Sequence, residues 1–276
     1  MERISWMTME VFSLLHFGLI GEHLGHSLSV PIHQALYARL GLDADYRLIE
    51  IPKADLQDRV SSLFHELDGF NITIPYKTDV IPMLTSLDHA AESMGAVNTV
   101  DCAARKGYNT DAPGFAAMLR HHGMDVHGKP CFVLGTGGAS KAVVAALRDE
   151  GASSITLVSR TPREGVISYD QLADVFSGYL INCTPAGMWP KVEGCPVSKN
   201  VLPEILLRTL GVADVIYNPP ETCLTLAAKE ARVPACTGLY MLVAQAMVAE
   251  SIWLKQELPE DLPFLLMKDI EEMKLL

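Results

Sequence analysis

The chain has 276 residues, 49% of them hydrophobic and 20% charged, with a formal net charge of -11. That length allows one large domain or two modest ones, and the composition is that of a globular protein rather than a disordered or fibrous one. The acidity argues against a nucleic-acid groove or an anionic membrane surface as partner, while leaving room for an anionic small molecule held by local amides and cations.

The first dozen residues read as an extension. Residues 11–20 are apolar, but Ser13 and His16 interrupt them, Glu22 follows and no small-residue cleavage pattern does, so no targeting segment is expected. Residues 17–21 are predicted as a strand ending in glycine. Residues 30–40 are predicted as a helix, with Pro31 in its first turn and Gly41 closing it. Strands are expected at 46–51 and 70–74, the second cut by Pro75, with a helix over 55–67 between them. Residues 97–101 and the segment around Tyr108 form a hairpin-like pair, and a helix covers 113–122. After the turn signal from His127 to Pro130, 131–134 is a buried strand and 139–150 a helix followed by Gly151. Further strands are expected at 155–158, 180–183 and 215–217. The most apolar stretch, 239–254, is short for a membrane span and carries Gln245 and Glu250, so a buried helix is predicted. This alternation places the chain in the α/β class, with parallel sheets covered by helices on both faces.

Cysteine and histidine spacing narrows the chemistry. Cys102, Cys131, Cys183, Cys195, Cys223 and Cys236 include no CxxC pair, which suits neither a zinc site nor a disulfide framework. A reducing cytoplasm is the expected compartment. His23, His26 and His33 lie near one another but lack a fourth ligand, so no metal is expected.

The run Gly135-Thr136-Gly137-Gly138-Ala139-Ser140 falls between a predicted strand and a predicted helix, where a dinucleotide pyrophosphate docks. Gly135 allows the tight turn, and Gly137 lets the backbone approach phosphates that face the helix N-terminus. Ser140 replaces the usual third glycine and is small enough for close packing. An acid at the end of the next strand would bind a ribose 2′-hydroxyl. Ser159, Arg160, Thr161 and Arg163 stand there instead, and guanidinium groups with hydroxyls suit the 2′-phosphate of NADP.

Other polar residues interrupt structural sequence. Ser27 and Ser29 either serve a turn and a helix cap or hold a carboxylate at a helix start. Asn71 and Thr73 share one strand face, with Lys77 just beyond. Asn98 and Thr99 follow Gly95, and Asp111, after Asn109 and Thr110, either caps a helix or acts in a site. Gln245 places among apolar neighbours an amide that needs partners.

Taken in order from about Phe17 to about Glu260, these segments resemble the shikimate dehydrogenase family. The matching motifs are the Ser27 and Ser29 pair, Asn71 to Lys77, Gly95 to Thr99, Asn109 to Asp111, the glycine loop, Asn182 to Met188, and Met241 to Gln245. The resemblance implies two domains. A substrate-binding catalytic domain would comprise residues 1–110 and 238–276, with C-terminal helices returning to it, and a Rossmann-like NADP-binding domain would span 111–237. It implies a cytoplasmic enzyme, monomer or homodimer, that interconverts 3-dehydroshikimate and shikimate with NADP in aromatic amino-acid biosynthesis. Lys77 and Asp111 would be the acid–base pair. Ser27 and Ser29 would bind the carboxylate, and Thr73, Asn98, Asp111 and Gln245 the ring hydroxyls. Thr184, Met188, Tyr217 and Gly238 would lie near the nicotinamide or the ring, above a cofactor held by Gly135, Gly137, Gly138 and Ala139, with Ser159, Arg160, Thr161 and Arg163 on the 2′-phosphate.

Three positions depart from the family pattern: Pro31 comes one place late, Thr237 stands where an aspartate is frequent, and Tyr240 fills a site that is often small. Tyr240 is expected to narrow the cleft near the nicotinamide. The nearest rival is a quinate/shikimate dehydrogenase using NAD or both cofactors. The lack of an acid after Val158 and the serine at position 29 argue against it. A non-catalytic ligand sensor on the same fold is the rival from another class, and the presence of Lys77 and Asp111 argues against that.

Overall fold

A computed structural model of the protein describes residues 14–25 and 27–273. The proposed N-terminal extension and His26 of the histidine cluster lie outside the described residues. The first sheet forms from β1 (Leu15–Gly21), α1 (Ser29–Leu40), β2 (Ala44–Glu50), α2 (Leu56–Glu66), β3 (Gly69–Ile72), β4 (Ser86–Leu87), α3 (His89–Met94), β5 (Thr99–Asp101) and β6 (Lys106–Tyr108). Then α4 (Asp111–His121) leads to the second sheet. Its elements are β7 (Pro130–Leu134), α5 (Gly138–Asp149), β8 (Ser154–Val158), β9 (Val166–Ile167), α6 (Tyr169–Val175), β10 (Gly178–Asn182), α7 (Leu202–Leu206), β11 (Thr209–Asp214), α8 (Cys223–Glu230) and β12 (Ala235–Cys236). The long α9 (Leu239–Leu254) and α10 (Leu262–Glu272) close the chain.

The α/β class is as expected, but the two sheets differ. The second has the order β12-β11-β10-β7-β8-β9 and every pair in it is parallel. Its chain reverses direction across the sheet between β7 and β10, the switch point where a doubly wound sheet opens a crevice for a ligand. The first sheet, β2-β1-β3-β5-β6-β4, is mixed. β3 and β6 run antiparallel to β5 because 97–108 forms the expected hairpin instead of a helical crossover. The strand expected at 215–217 is displaced. β11 ends at Asp214, whose carboxylate takes the N–H of Ile216 and turns the chain out of the sheet. Val215 and Tyr217 line a cleft while also packing against the two neighbouring cores.

Helix α9 is apolar on all sides because it is enclosed by both halves. Tyr240 and Ala244 pack with α4 and α5, while Leu239, Val243, Ala246 and Met247 pack with α1, β1 and α10. No described helix is long and apolar enough to cross a membrane. Trp253 anchors its end, stacking on Phe17 at 4.6 Å and donating to the Val100 carbonyl at 2.8 Å. At its other end α9 crosses α4 closely. A Cβ on Gly114 would lie 2.9 Å from Gln245 Cβ and 3.0 Å from the Met241 carbonyl oxygen.

That crossing inverts an ordinary expectation. Helix propensity alone makes Gly114→Ala stabilising by about 0.5–1 kcal/mol. The contact with α9 makes it destabilising, by about 1–3 kcal/mol in urea unfolding. A gain in stability would show that the two helices part without cost.

Candidate active site

Loops from both sheets and the starts of α1, α4, α5 and α9 surround a cleft of about 570 Å³. At one end β1 stops at Gly21 and the chain passes through Ser27 into α1. No side chain caps that helix, whose preceding residue is Leu28, so Ser29 does not take the cap role. Instead Ser27 Oγ accepts the Ser29 N–H at 3.2 Å and donates to Ser29 Oγ at 3.0 Å. Both serines line the cleft beside a helix N-terminus, an environment that favours an anion.

The floor of the cleft is a buried polar chain. Tyr46 donates to Asn71 Oδ1 at 2.7 Å. Both protons of the Asn71 amide are used within the protein, on the Asn98 carbonyl at 3.2 Å and Thr99 Oγ1 at 3.0 Å. One lone pair of Asn71 Oδ1 remains for the cleft. Asn98 is still more committed. Its amide donates to Thr110 Oγ1 at 3.0 Å and Asp111 Oδ1 at 2.9 Å, while its Oδ1 accepts from the Thr110 N–H at 2.8 Å and Thr99 Oγ1 at 3.1 Å. Its evident effect is to fix Asp111. Thr110 Oγ1 reaches Gln245 Oε1 at 3.2 Å, and Gln245 Nε2 donates to the Leu242 carbonyl at 3.0 Å, which leaves one amide proton facing the cleft. The Thr73 hydroxyl lines the cleft and makes no hydrogen bond among the described residues.

Asp111 opens α4, and its N–H is taken by Asn109 Oδ1 at 3.1 Å. Its second oxygen takes the Lys77 ammonium at 2.5 Å. The pair is partly shielded, with the side chains 27% and 17% exposed. The ammonium keeps two further protons to direct into the cleft. Asp111 lines the cleft and is not spent on capping its own helix.

The opposite wall comes from the second sheet. Gly135 has φ +101°, and a Cβ there would press on Thr184 Cγ2 at 3.0 Å. Gly137 precedes α5, and no side chain caps the helix. A Cβ at Gly137 or Gly138 would meet nothing within 4 Å, so the protein's own packing does not demand glycine there. Open space over free amides at a helix start fits a pyrophosphate. Gly138, Ala139, Tyr217 and Gly238 line the cleft. Gly238 is needed for contact as well, since a Cβ would fall 2.1 Å from the Val215 carbonyl oxygen. Ser159, Arg160, Thr161 and Arg163 follow β8 at the same end of the sheet but outside the cleft. The Ser159 Oγ accepts the Thr161 N–H at 3.2 Å, and the two arginines are exposed.

Beneath this wall a second network fixes the ends of β10 and β11. Asn182 accepts from the Thr184 N–H and hydroxyl, at 3.0 and 2.8 Å, and donates to Asp214 Oδ1 at 3.0 Å. Thr222 Oγ1 donates to Asp214 Oδ2 at 2.8 Å. Burial pushes the Asp214 carboxyl up to about 6, against these favourable hydrogen bonds.

Two expectations shift. Met188 is exposed on the loop after β10 and, like Thr184, does not line the cleft. Tyr240 does not narrow the cleft. Its ring stacks on His121 at 4.0 Å, because the first turn of α9 points that position back toward the end of α4. Asn71, His23 and Met241 line the cleft without having been singled out as ligands. A buried amide inside a strand was the signal available for Asn71, while His23 stood out only as part of a histidine cluster and Met241 only as the start of a motif. Among the described residues no group of three or more histidines, cysteines or acids could hold a metal.

The family model described as "Shikimate dehydrogenase substrate binding domain" matches residues 19–100. A Clostridium beijerinckii protein named "Shikimate dehydrogenase (NADP(+))" is 38% identical over 258 residues, covering 89% of this chain and 94% of that one. The chain belongs to the shikimate dehydrogenase family. Among solved structures, a chorismate mutase/shikimate 5-dehydrogenase fusion protein from Clostridium acetobutylicum is similar, with a TM-score of 0.90 and 38% identity, covering 95% of this chain and 99% of that one. A shikimate 5-dehydrogenase from Thermus thermophilus, solved with NADP(H) and shikimate, has a TM-score of 0.81 and 28% identity, covering 93% and 100%.

The raised Asp214 carboxyl has a measurable consequence. Between its ordinary value of 3.8 and about 6, the folded state holds a proton that the unfolded state releases. Stability from this group is therefore full below about pH 4 and falls as pH rises through 6, by about 3 kcal/mol in all. Asp214→Asn should flatten the pH dependence of urea unfolding across that window. An unchanged slope would show that the carboxyl is already ionised in the folded protein at pH 4.

Proposed function

We propose that this chain is an NADP-dependent shikimate dehydrogenase, reversibly reducing 3-dehydroshikimate to shikimate, with Lys77 and Asp111 as its acid–base pair. The observation that carries the site assignment is the 2.5 Å Lys77–Asp111 contact inside a cleft that also holds the two serines and the start of α5. We further assign 1–110 and 238–276 to the substrate domain and 111–237 to the cofactor domain. The two separate sheets and the return of α9 onto β1 support that division.

The hydride that reaches the ring carbonyl carbon would come from NADPH when it is bound. The protein's part is to hold the ring and manage one proton. Ser27 and Ser29, at the α1 N-terminus, are suited to the carboxylate. Thr73, the free lone pair of Asn71 and the free amide proton of Gln245 are suited to ring hydroxyls. As negative charge grows on the carbonyl oxygen, Lys77 stabilises it and delivers a proton. Asp111, fixed by Asn98, keeps the ammonium aimed. In oxidation the same pair receives the proton back. The Gly135, Gly137, Gly138 and Ala139 turn would hold the pyrophosphate, and Ser159, Arg160, Thr161 and Arg163 the 2′-phosphate. Thr184 and Tyr217 flank the path between loop and ring.

Initial rates with shikimate or quinate, each paired with NADP or NAD, test this reading. Fast turnover only with shikimate and NADP is expected. Quinate or NAD turnover would favour the dual-specificity reading, and none in any pair would favour a sensor. Lys77→Met should lower kcat by about 10²–10⁴-fold with a smaller change in KM. Arg160→Ala should lower kcat/KM for NADP by about 10–100-fold and leave that for NAD unchanged. An equal loss with both cofactors would remove Arg160 from the 2′-phosphate.

A further inference from the structure

Beneath the serine end of the cleft lies a buried cluster that the proposed chemistry does not use. Glu250 of α9 and His33 of α1 are both wholly buried. His33 Nδ1 meets Glu250 Oε1 at 2.6 Å, and the Tyr37 hydroxyl donates to the same oxygen at 2.7 Å. Glu250 Oε2 and His33 Nε2 have no partner among the described residues. Such a pair is poor economy for stability alone, since apolar residues of similar volume serve as well or better. Its geometry has one specific product. The His33 ring lies flat on Tyr46, with centroids 3.8 Å apart and planes 8° from parallel.

Tyr46 opens the buried hydrogen-bond chain under the cleft, donating to Asn71 Oδ1 at 2.7 Å. Burial and the charge of Glu250 push its hydroxyl up, so it keeps its single proton and has one direction in which to give it. That proton fixes which way the Asn71 amide faces, and with it which lone pair the cleft receives. The ring is buried and does not itself line the cleft.

Resting on the reading of the cleft as a ring-acid site, we propose that Tyr46, held flat by the ring stacked beneath it, is a positioning residue. It sets the orientation in which Asn71 presents its free lone pair to the ring hydroxyls. It therefore governs recognition of the ring acid and not hydride or proton transfer.

Steady-state kinetics with shikimate and NADP varied independently test this. Tyr46→Phe keeps the ring and its stack and removes only the hydroxyl. Its KM for shikimate should rise about two- to tenfold, the range for one lost hydrogen bond, with kcat within about twofold and KM for NADP unchanged. A wild-type KM for shikimate, or equal losses in kcat and both KM values, would overturn the proposal. His33→Phe combined with Glu250→Leu keeps an aromatic ring under Tyr46 and removes both buried polar groups. It should keep the KM within about twofold of wild type, and a KM raised as in Tyr46→Phe would overturn the stack as the support. Failure of the wild-type protein to turn over shikimate would defeat the proposed function itself. Wild-type turnover with an unaffected Tyr46→Phe variant would defeat this inference alone.

Discussion

The active cleft depends on a tendency of buried polar groups: nearly all find partners, and each satisfied group fixes its neighbour. From Tyr46 the bonds run through Asn71, Thr99 and Asn98 to Asp111 and Lys77. Counting donors along this path shows what is left for a ligand. Asn98 has nothing left, Asn71 has one lone pair, Gln245 one proton and Lys77 two. The cleft is thus specified by subtraction. Groups that look like a generous set of ligands in the sequence become a few directed donors and acceptors, because the rest of their capacity holds the others still.

The fold exists to bring these groups to one place from distant parts of the chain. Lys77 and Asp111 are separated by 34 residues and Thr110 and Gln245 by 135. The helix α9 makes the second meeting possible, since it packs with α4 on one side and α1 on the other. The close crossing at Gly114 puts Gln245 beside Thr110. A protein that built its site on one sheet alone would not need so apolar a final helix. Here the apolarity follows from being enclosed by both halves.

Most of the architecture was legible because its signals are local. The glycine loop between 131–134 and 139–150, the Gly41 helix stop and the strand cut before Pro75 all appear within a residue or two of their predicted places. The segment 215–217 misled because apolar residues facing a ligand cleft carry the same pattern as a strand facing a core, while Asp214, which ends the strand, is a buried acid and so looks out of place there. Tyr240 was misread for a similar reason: position on a helix face depends on where the first turn begins, and α9 begins at Leu239. Asn71 was visible as an unusual residue, but its partners Tyr46 and Thr99 lie 25 and 28 residues away, and no local pattern reveals such a pairing. The Glu250–His33 contact spans 217 residues and left no sequence signal beyond an acid in an apolar run.

The overall charge of -11 makes the recognition of an acidic ring and a phosphorylated cofactor a problem in local electrostatics. The one lysine in the cleft is already paired with Asp111, so it cannot serve as a general attractant for anions. The α1 and α5 N-termini, neither capped by a side chain, face the same cleft from opposite sheets. Helix ends and hydroxyls attract an anion only at short range and in one direction. A free cation would draw many anions into the cleft. Partial charges fixed by packing admit those that also satisfy the hydroxyl sites, because an unmatched buried polar group costs about 1–3 kcal/mol. In the ring-binding cleft, whose one lysine is already paired, discrimination is therefore left to the hydrogen-bond pattern, while Arg160 and Arg163 stand outside it for the cofactor phosphate.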